Sequence, residues 1–457
     1  MKVAALIVIS AIEFGGACVN AQEPMGHAMP DSVARSSVSW MLGAEAIADG
    51  TIASPAYANR TLREGYLTQP MVMGMLSAAS GRIGVEGMVD FEGITLERGE
   101  LNAGMEGEGY VDRRHPHTYL HELVASGSGS YARTRFSLAI GKGFVPFGTD
   151  DPMVRPFEKY PANHHISQIV ERLLAAATVR RGPLLLEAAR FNGDEPESPS
   201  DLPNSDRLWD SWATRATLLP RSGFELAGSV ARVKSPELAA GGGLDQRKAN
   251  ISLRYESANR QPMSMGPGDE MDPAMEIDEA RGNDWHRYGL IEWGRSSDYD
   301  RSTRAFSFST MLAEGELRQK RIAFGARLER TERPEEERLA NPFRTQRPAT
   351  DFSVVGRTRW DIATARVSAI AWKWTTGSIS PFIEVARQHA TALAVPAVFD
   401  PRGFYGSDTM WSISAGITFS AGMVHDRTGQ YGAAAKGMTG MQMRGTHRIA
   451  GCPKVIC

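Results

Sequence analysis

The chain has 457 residues, 42% of them hydrophobic, and sets 51 Lys and Arg against 53 Asp and Glu for a formal net charge of −2. A charge so nearly balanced leaves no electrostatic footprint for nucleic acid. A mean hydropathy of −0.29 excludes a bundle of membrane helices but not a sheet whose strands are apolar on one face only.

The first residues read as an export signal. Lys2 precedes an apolar run from Val3 to Ile12, and Val19-Asn20-Ala21 supplies a small-x-small site, so cleavage is expected after Ala21. Gly16-Ala17-Cys18 is part of a lipobox, with Gly15 where Leu is usual, which gives lipidation as an alternative. Residues 22–35 read as a flexible segment carrying Met25, His27 and Met29.

From residue 36 the dominant signal is an alternation of period two. In Trp411-Ser412-Ile413-Ser414-Ala415-Gly416-Ile417-Thr418-Phe419-Ser420, each odd position is apolar and each even one small or polar. Successive strand residues point to opposite faces, so such a segment has one oily and one polar side. Strands are predicted near 36–47, 70–79, 82–93, 131–142, 167–179, 183–191, 209–219, 223–233, 247–257, 285–294, 303–314, 318–330, 351–360, 363–374, 378–388 and 410–423. On several of them Arg and Glu hold every second place, as Arg254 and Glu256 do in alternation with Leu253 and Tyr255. A soluble sandwich has no use for that pattern, whereas a water-filled lumen does. The expectation is an all-β fold: a transmembrane antiparallel up-and-down barrel over 36–432, of about sixteen strands within an even count of 14 to 18. A short helix or loop insertion is expected near 95–166. Connections at 180–182 and 220–222 share a parity that 80–81 breaks, which points to a strand missed or invented between 95 and 170 and another near 360.

Residues 433–457 read as a disordered tail with Met438, Met441, Met443, His447, Cys452 and Cys457. In an oxidising compartment the two cysteines would pair; the alternative is two incidental thiols.

Three groups of residues stand out for chemistry. His115, His117 and His121 follow one another closely, and Pro116 would open a helix that sets His117 and His121 on one face, a metal-ligand spacing; packed imidazoles bonded to carboxylates are the plainer reading. The run from Gly141 to His165 is dense in Gly, Pro and Phe, and reads as a compact loop folded into the lumen, with Lys142, Phe147, Asp150, Asp151, Arg155, His164 and His165 as constriction candidates. Its Gly-Lys-Gly lacks P-loop spacing, so nucleotide binding is not expected. Met263, Met265, Met271 and Met275 stand in a polar insert, where thioethers have little packing role and suit Cu(I). No Gly-x-Ser-x-Gly elbow is present, and no enzyme activity is expected.

The segments Asp112–Leu123 and Gly141–His165 also carry a resemblance. Together with Leu208–Ala213, Ala394–Phe399 and the Trp411–Met423 strand, they resemble a group of bacterial outer-membrane β-barrel, porin-like proteins. The Gly-Lys-Gly-Phe and Pro-Phe-Gly elements are similar to those of porins that select anions such as phosphate. The resemblance implies a Gram-negative outer-membrane location, lipid contact, insertion by the barrel-assembly machinery and passage of small solutes or ions, and leaves the oligomeric state open. The second reading is an outer-membrane metal-binding or resistance-associated barrel, with copper on the Met- and His-rich segments.

Overall fold

The computed structural model describes residues 38–433, apart from 57–58, 97–99, 102–112, 115–116, 150, 163, 197, 221–222, 258–284, 337–353, 375, 394–399 and 423–429. In chain order the strands are β1 (Val38–Ala56), β2 (Arg60–Ala78), β3 (Ile83–Asp90), β4 (Glu100–Leu101), β5 (Arg113–Arg114), β6 (Leu120–Tyr131), β7 (Thr134–Gly143), β8 (Arg172–Arg181), β9 (Leu184–Phe191) and β10 (Ser211–Leu218). They continue as β11 (Phe224–Val233), β12 (Asp245–Glu256), β13 (Trp285–Asp300), β14 (Thr303–Gln319), β15 (Ile322–Glu336), β16 (Val354–Ala369), β17 (Trp372–Trp374), β18 (Gly377–Ala392) and β19 (Thr409–Gly422).

All but β4 and β5, which pair with each other, belong to one 17-stranded sheet. The three-residue β17 is an annex on β18, so sixteen strands form the wall. Each pairs antiparallel with its neighbours, and β1 pairs with β19 from Gly43↔Gly422 to Ser54↔Trp411, which closes the barrel and removes both sheet edges.

The wall is apolar outside and polar inside. Along β12, Ile251 and Leu253 are exposed while Ser252 and Arg254 are buried. On β13, Ile291 is 58% exposed beside a fully buried Glu292. Charged residues are almost never fully buried in a water-soluble domain, and contiguous apolar surface is rare there. The inversion is that of a barrel whose outer face meets lipid and whose inner face meets water or polar side chains.

Strand direction alternates, so connections alternate between two rims. One rim carries the short connections 79–82, 132–133, 182–183, 219–223, 320–321 and 370–376, together with the outer ends of β1 and β19. The other carries the long connections 91–119, 144–171, 192–210, 234–244 and 393–408, with short turns at 57–59 and 301–302. The parity conflict in the sequence disappears because Leu120–Tyr131 is a strand and because the predicted strands at 351–360 and 363–374 are one strand, β16. The two errors cancelled, and the total of sixteen stood.

A further correction concerns local structure. His117 and His121 share no helix: His117 lies in irregular chain and His121 on β6. Tyr431, beyond β19, is 4% exposed inside the barrel, among inward-facing residues of β6 and β7.

Candidate functional site

Residues 144–171 leave β7, cross the lumen and return to β8, touching most of the wall on the way. The loop closes on a narrow neck. Val145 N–H donates to the carbonyl of Ile169 at 2.9 Å, and Gly148, at φ +70°, packs so tightly that an added Cβ would fall 1.6 Å from the Ser167 carbonyl oxygen. Gly148 N–H donates to Ser229 Oγ on β11 at 2.9 Å.

Beyond the neck, charged pairs fasten the loop to the wall. Arg155 stands 3.3 Å from Glu292 on β13 and 3.9 Å from Glu314 on β14. Thr149 Oγ1 donates to Glu292 Oε1 at 2.8 Å and accepts from Arg155 at 2.8 Å. Lys159 Nζ donates to Asp49 on β1 at 2.9 Å, Glu158 N–H to Glu384 on β18 at 3.0 Å, and Ala162 N–H to Glu329 on β15 at 2.7 Å. Lys248 Nζ on β12 donates to the His165 carbonyl at 2.7 Å. A buried charge persists only when paired and hydrogen-bonded, so these contacts fix the loop in place.

The proposed constriction residues divide accordingly. Phe147, Asp151, Arg155 and His164 are buried in or under the loop, and Lys142 is buried at its root on β7. His165 is half-buried and meets His164 edge to face at 4.0 Å. Asp150 lies outside the described residues, as do His115, Met263, Met265, Met271 and Met275.

At the loop's root a second polar cluster packs between β3, β6 and β8. The register of β3 on β6 jumps between Met88↔Glu122 and Val89↔Leu120, a bulge that leaves His121 without a partner. A bulge turns two consecutive residues to one face, and here both His121 and Glu122 point inward, 0% and 1% exposed. His117 reaches the same place from the irregular chain before β6, its ring 4.8 Å from that of His121. The two imidazoles therefore meet across a bulge and not along a helix face.

Carboxylates surround the two rings. Glu92 accepts from Thr68 Oγ1 at 2.9 Å and Gln69 N–H at 2.8 Å on one oxygen, and stands 3.0 Å from His117 Nδ1 on the other. Glu171, just before β8, accepts from the Thr118 N–H and hydroxyl at 2.9 and 2.6 Å and lies 2.8 Å from His121 Nδ1. Asp90, at the end of β3, accepts from Glu92 N–H at 2.8 Å through Oδ1 and holds Oδ2 3.7 Å from His117 Nδ1. Lys142 donates to Thr118 Oγ1 and to the Leu120 carbonyl.

Glu171 and Gln69 both adopt positive φ, 59° and 51°, a region that residues with side chains rarely occupy without compensation. Burial opposes ionisation of Glu171, but the hydrogen bond and charge of His121, with His117 and Lys142, outweigh it and hold the carboxyl well below its usual range. Asp151 is pushed the other way: burial raises it, and the two imidazoles offset this only in part. Sequence reading missed Asp90, Glu92 and Glu171, because they lie far from the histidines in the chain and only the pairing of β3 with β6 and the return of the in-folded loop to β8 bring them together.

No protein-family model matches the chain, and no curated protein matches it. Among solved structures, it is similar to an anion-selective porin from Comamonas acidovorans, with 8% identity and TM-score 0.47 over 84% of this chain and 99% of that one. It is also similar to OmpT, an outer membrane protein of Vibrio cholerae, with 8% identity and TM-score 0.45 over 85% and 99%. A third is OccK2 (OpdF) of Pseudomonas aeruginosa in complex with glucuronate, with 9% identity and TM-score 0.39 over 85% and 98%. The assignment as a closed sixteen-stranded barrel rests on the strand pairing of this chain.

Proposed function

We propose that this protein is a porin-like channel of an outer membrane, passing small solutes or ions through a lumen that residues 144–171 narrow. The observation that carries the reading is the loop itself, fastened across a barrel whose outer wall is apolar. A barrel of this strand number is wide enough to enclose an aqueous passage unless something fills it. A loop that crosses at mid-lumen and binds the wall through Arg155, Lys159 and Ala162 sets the width of that passage.

In this reading the apolar band meets lipid, the long-connection rim faces outward and the short-turn rim faces the periplasm. Insertion would follow the route of other outer-membrane barrels, through the barrel-assembly machinery. Charges on the inner wall pair with their strand neighbours, as Arg215 on β10 does with Glu187 on β9 at 2.7 Å, so the reading carries no ion preference.

Single-channel recording of the purified, refolded protein in planar bilayers tests the proposal. Discrete, stable conductance steps are expected, and a larger step when Arg155→Ala frees the loop. Silence from a protein shown to be a folded barrel overturns it.

A further inference from the structure

The cluster at the root of the in-folded loop holds a set of atoms that the loop's anchoring does not use. Asp90, His117 and His121 each offer one ligand atom, and these atoms lie within 4.8 Å of one another in a buried site. Two atoms of these residues have no hydrogen-bond partner among the described residues: Asp90 Oδ2 and His121 Nε2. Asp90 and His121 are both 0% exposed. A buried polar atom without a partner is costly, and in a native protein it calls for an explanation such as an ion.

We propose that Asp90, His117 and His121 bind a divalent transition-metal ion of the zinc class. Two imidazole nitrogens and a carboxylate oxygen, with no sulfur, suit borderline Zn²⁺ rather than soft Cu(I). The surroundings match what such ligands need. A metal-bound histidine usually gives its second ring nitrogen to a carboxylate, which fixes its tautomer and orientation. His121 sets Nδ1 against Glu171 and keeps Nε2 for the ion. His117 is steadied by Glu92, and Asp90 by the Glu92 N–H on its other oxygen.

Ligand atoms about 2.1 Å from zinc stand roughly 3.4 Å apart in a tetrahedral set, so binding draws the three side chains inward by about an ångström. The ion then ties the end of β3 to the start of β6, next to Glu171 where the in-folded loop ends. The Met-rich insert and tail take no part.

The test is metal content of the full-length, refolded barrel after incubation with ZnSO₄ and dialysis, read by mass spectrometry, with the heat-modifiable gel shift confirming the fold. One zinc per chain is expected in the wild type and in a chain lacking residues 263–275, with at least a tenfold loss of affinity in His121→Gln and Asp90→Asn. Cobalt in place of zinc gives an independent readout on the wild type: absorption bands of a four-coordinate nitrogen and oxygen field. Zinc absent from the folded wild type overturns the proposal. So does zinc held equally by His121→Gln and Asp90→Asn, or lost only on deleting 263–275. Conductance plays no part in these readouts, so the site and the channel stand or fall separately.

Discussion

Tyr431, beyond the last strand, donates its hydroxyl to Glu122 Oε1 on β6 and accepts on the same oxygen from Phe144 N–H at 2.8 Å. The chain that leaves the wall after β19 thus comes back to hold the first residue of the in-folded loop. Burial, with the nearby carboxylates of Glu122 and Glu86, pushes the phenol well up, so it remains a donor at any working pH. Tyr431→Phe keeps the ring but strands a carboxylate and an N–H in the interior. A loss of roughly 1–3 kcal/mol is expected for such a deletion. The temperature at which the folded band gives way on a gel should fall, while tyrosine replaced by phenylalanine at exposed Tyr131 should leave it unchanged.

Gly148→Ala attacks the neck of the loop. The glycine combines φ +70° with a carbonyl where a side chain would stand, so two independent penalties fall on the substitution. The barrel does not depend on this position, whereas the crossing of the loop's two arms does. The expected outcome is a folded barrel with new protease cuts within 144–171 and larger, noisier conductance steps. Wild-type protease resistance in the variant would show that the neck tolerates opening.

How far the sequence foretold this architecture follows from physics of different ranges. Period-two alternation is local, so β9 to β13 were predicted to within a few residues, except that β13 runs on to Asp300. β6 escaped because Ala125–Ser130 alternates small residues that carry little hydrophobic contrast and read as loop. β1 and β2 were cut short for a related reason: the end of β1, Gly50–Ala56, and the start of β2, Arg60–Gln69, lack clean alternation. The in-folded loop was visible as density of Gly, Pro and Phe. Its anchors, Glu292, Glu314, Glu329 and Glu384, were indistinguishable from any other lumen carboxylate, since only closure shows which of them the loop meets. Glu92 and Glu171 around the two histidines were equally hidden, since strand pairing and the returning loop, not the local sequence, bring them there.

Glu171 gives a pH dependence with a definite sign. Its carboxyl titrates lower in the folded protein than in the unfolded chain, because His121 favours the charged form more than burial disfavours it. A group of this kind contributes stability above the unfolded value, about 4.3 for glutamate, and loses it as the pH falls toward the folded value. With a chelator present to exclude metal, the wild type should lose thermal stability on acidification below about pH 4. Glu171→Gln should start lower at neutral pH and show a shallower acid limb. Parallel curves for the two proteins would remove Glu171 from the account.

The outward face makes the last prediction. Leu138, in the middle of β7, is 69% exposed, and its neighbours along the strand, Phe136 and Ile140, are exposed as well. In water that surface would drive aggregation; in a bilayer it is the contact that holds the barrel in place. Leu138→Arg should cost ~2–4 kcal/mol of folding into lipid vesicles if the position lies near the bilayer centre. Ser137→Arg, one residue away, points at the lumen instead, where Ser137 Oγ accepts from Ala433 N–H at 2.8 Å. That substitution should leave membrane insertion intact and displace the returning chain. Urea titrations of both variants in vesicles separate the two faces: a shift for Leu138→Arg well beyond that for Ser137→Arg confirms which face meets lipid, and the reverse order would turn the wall inside out.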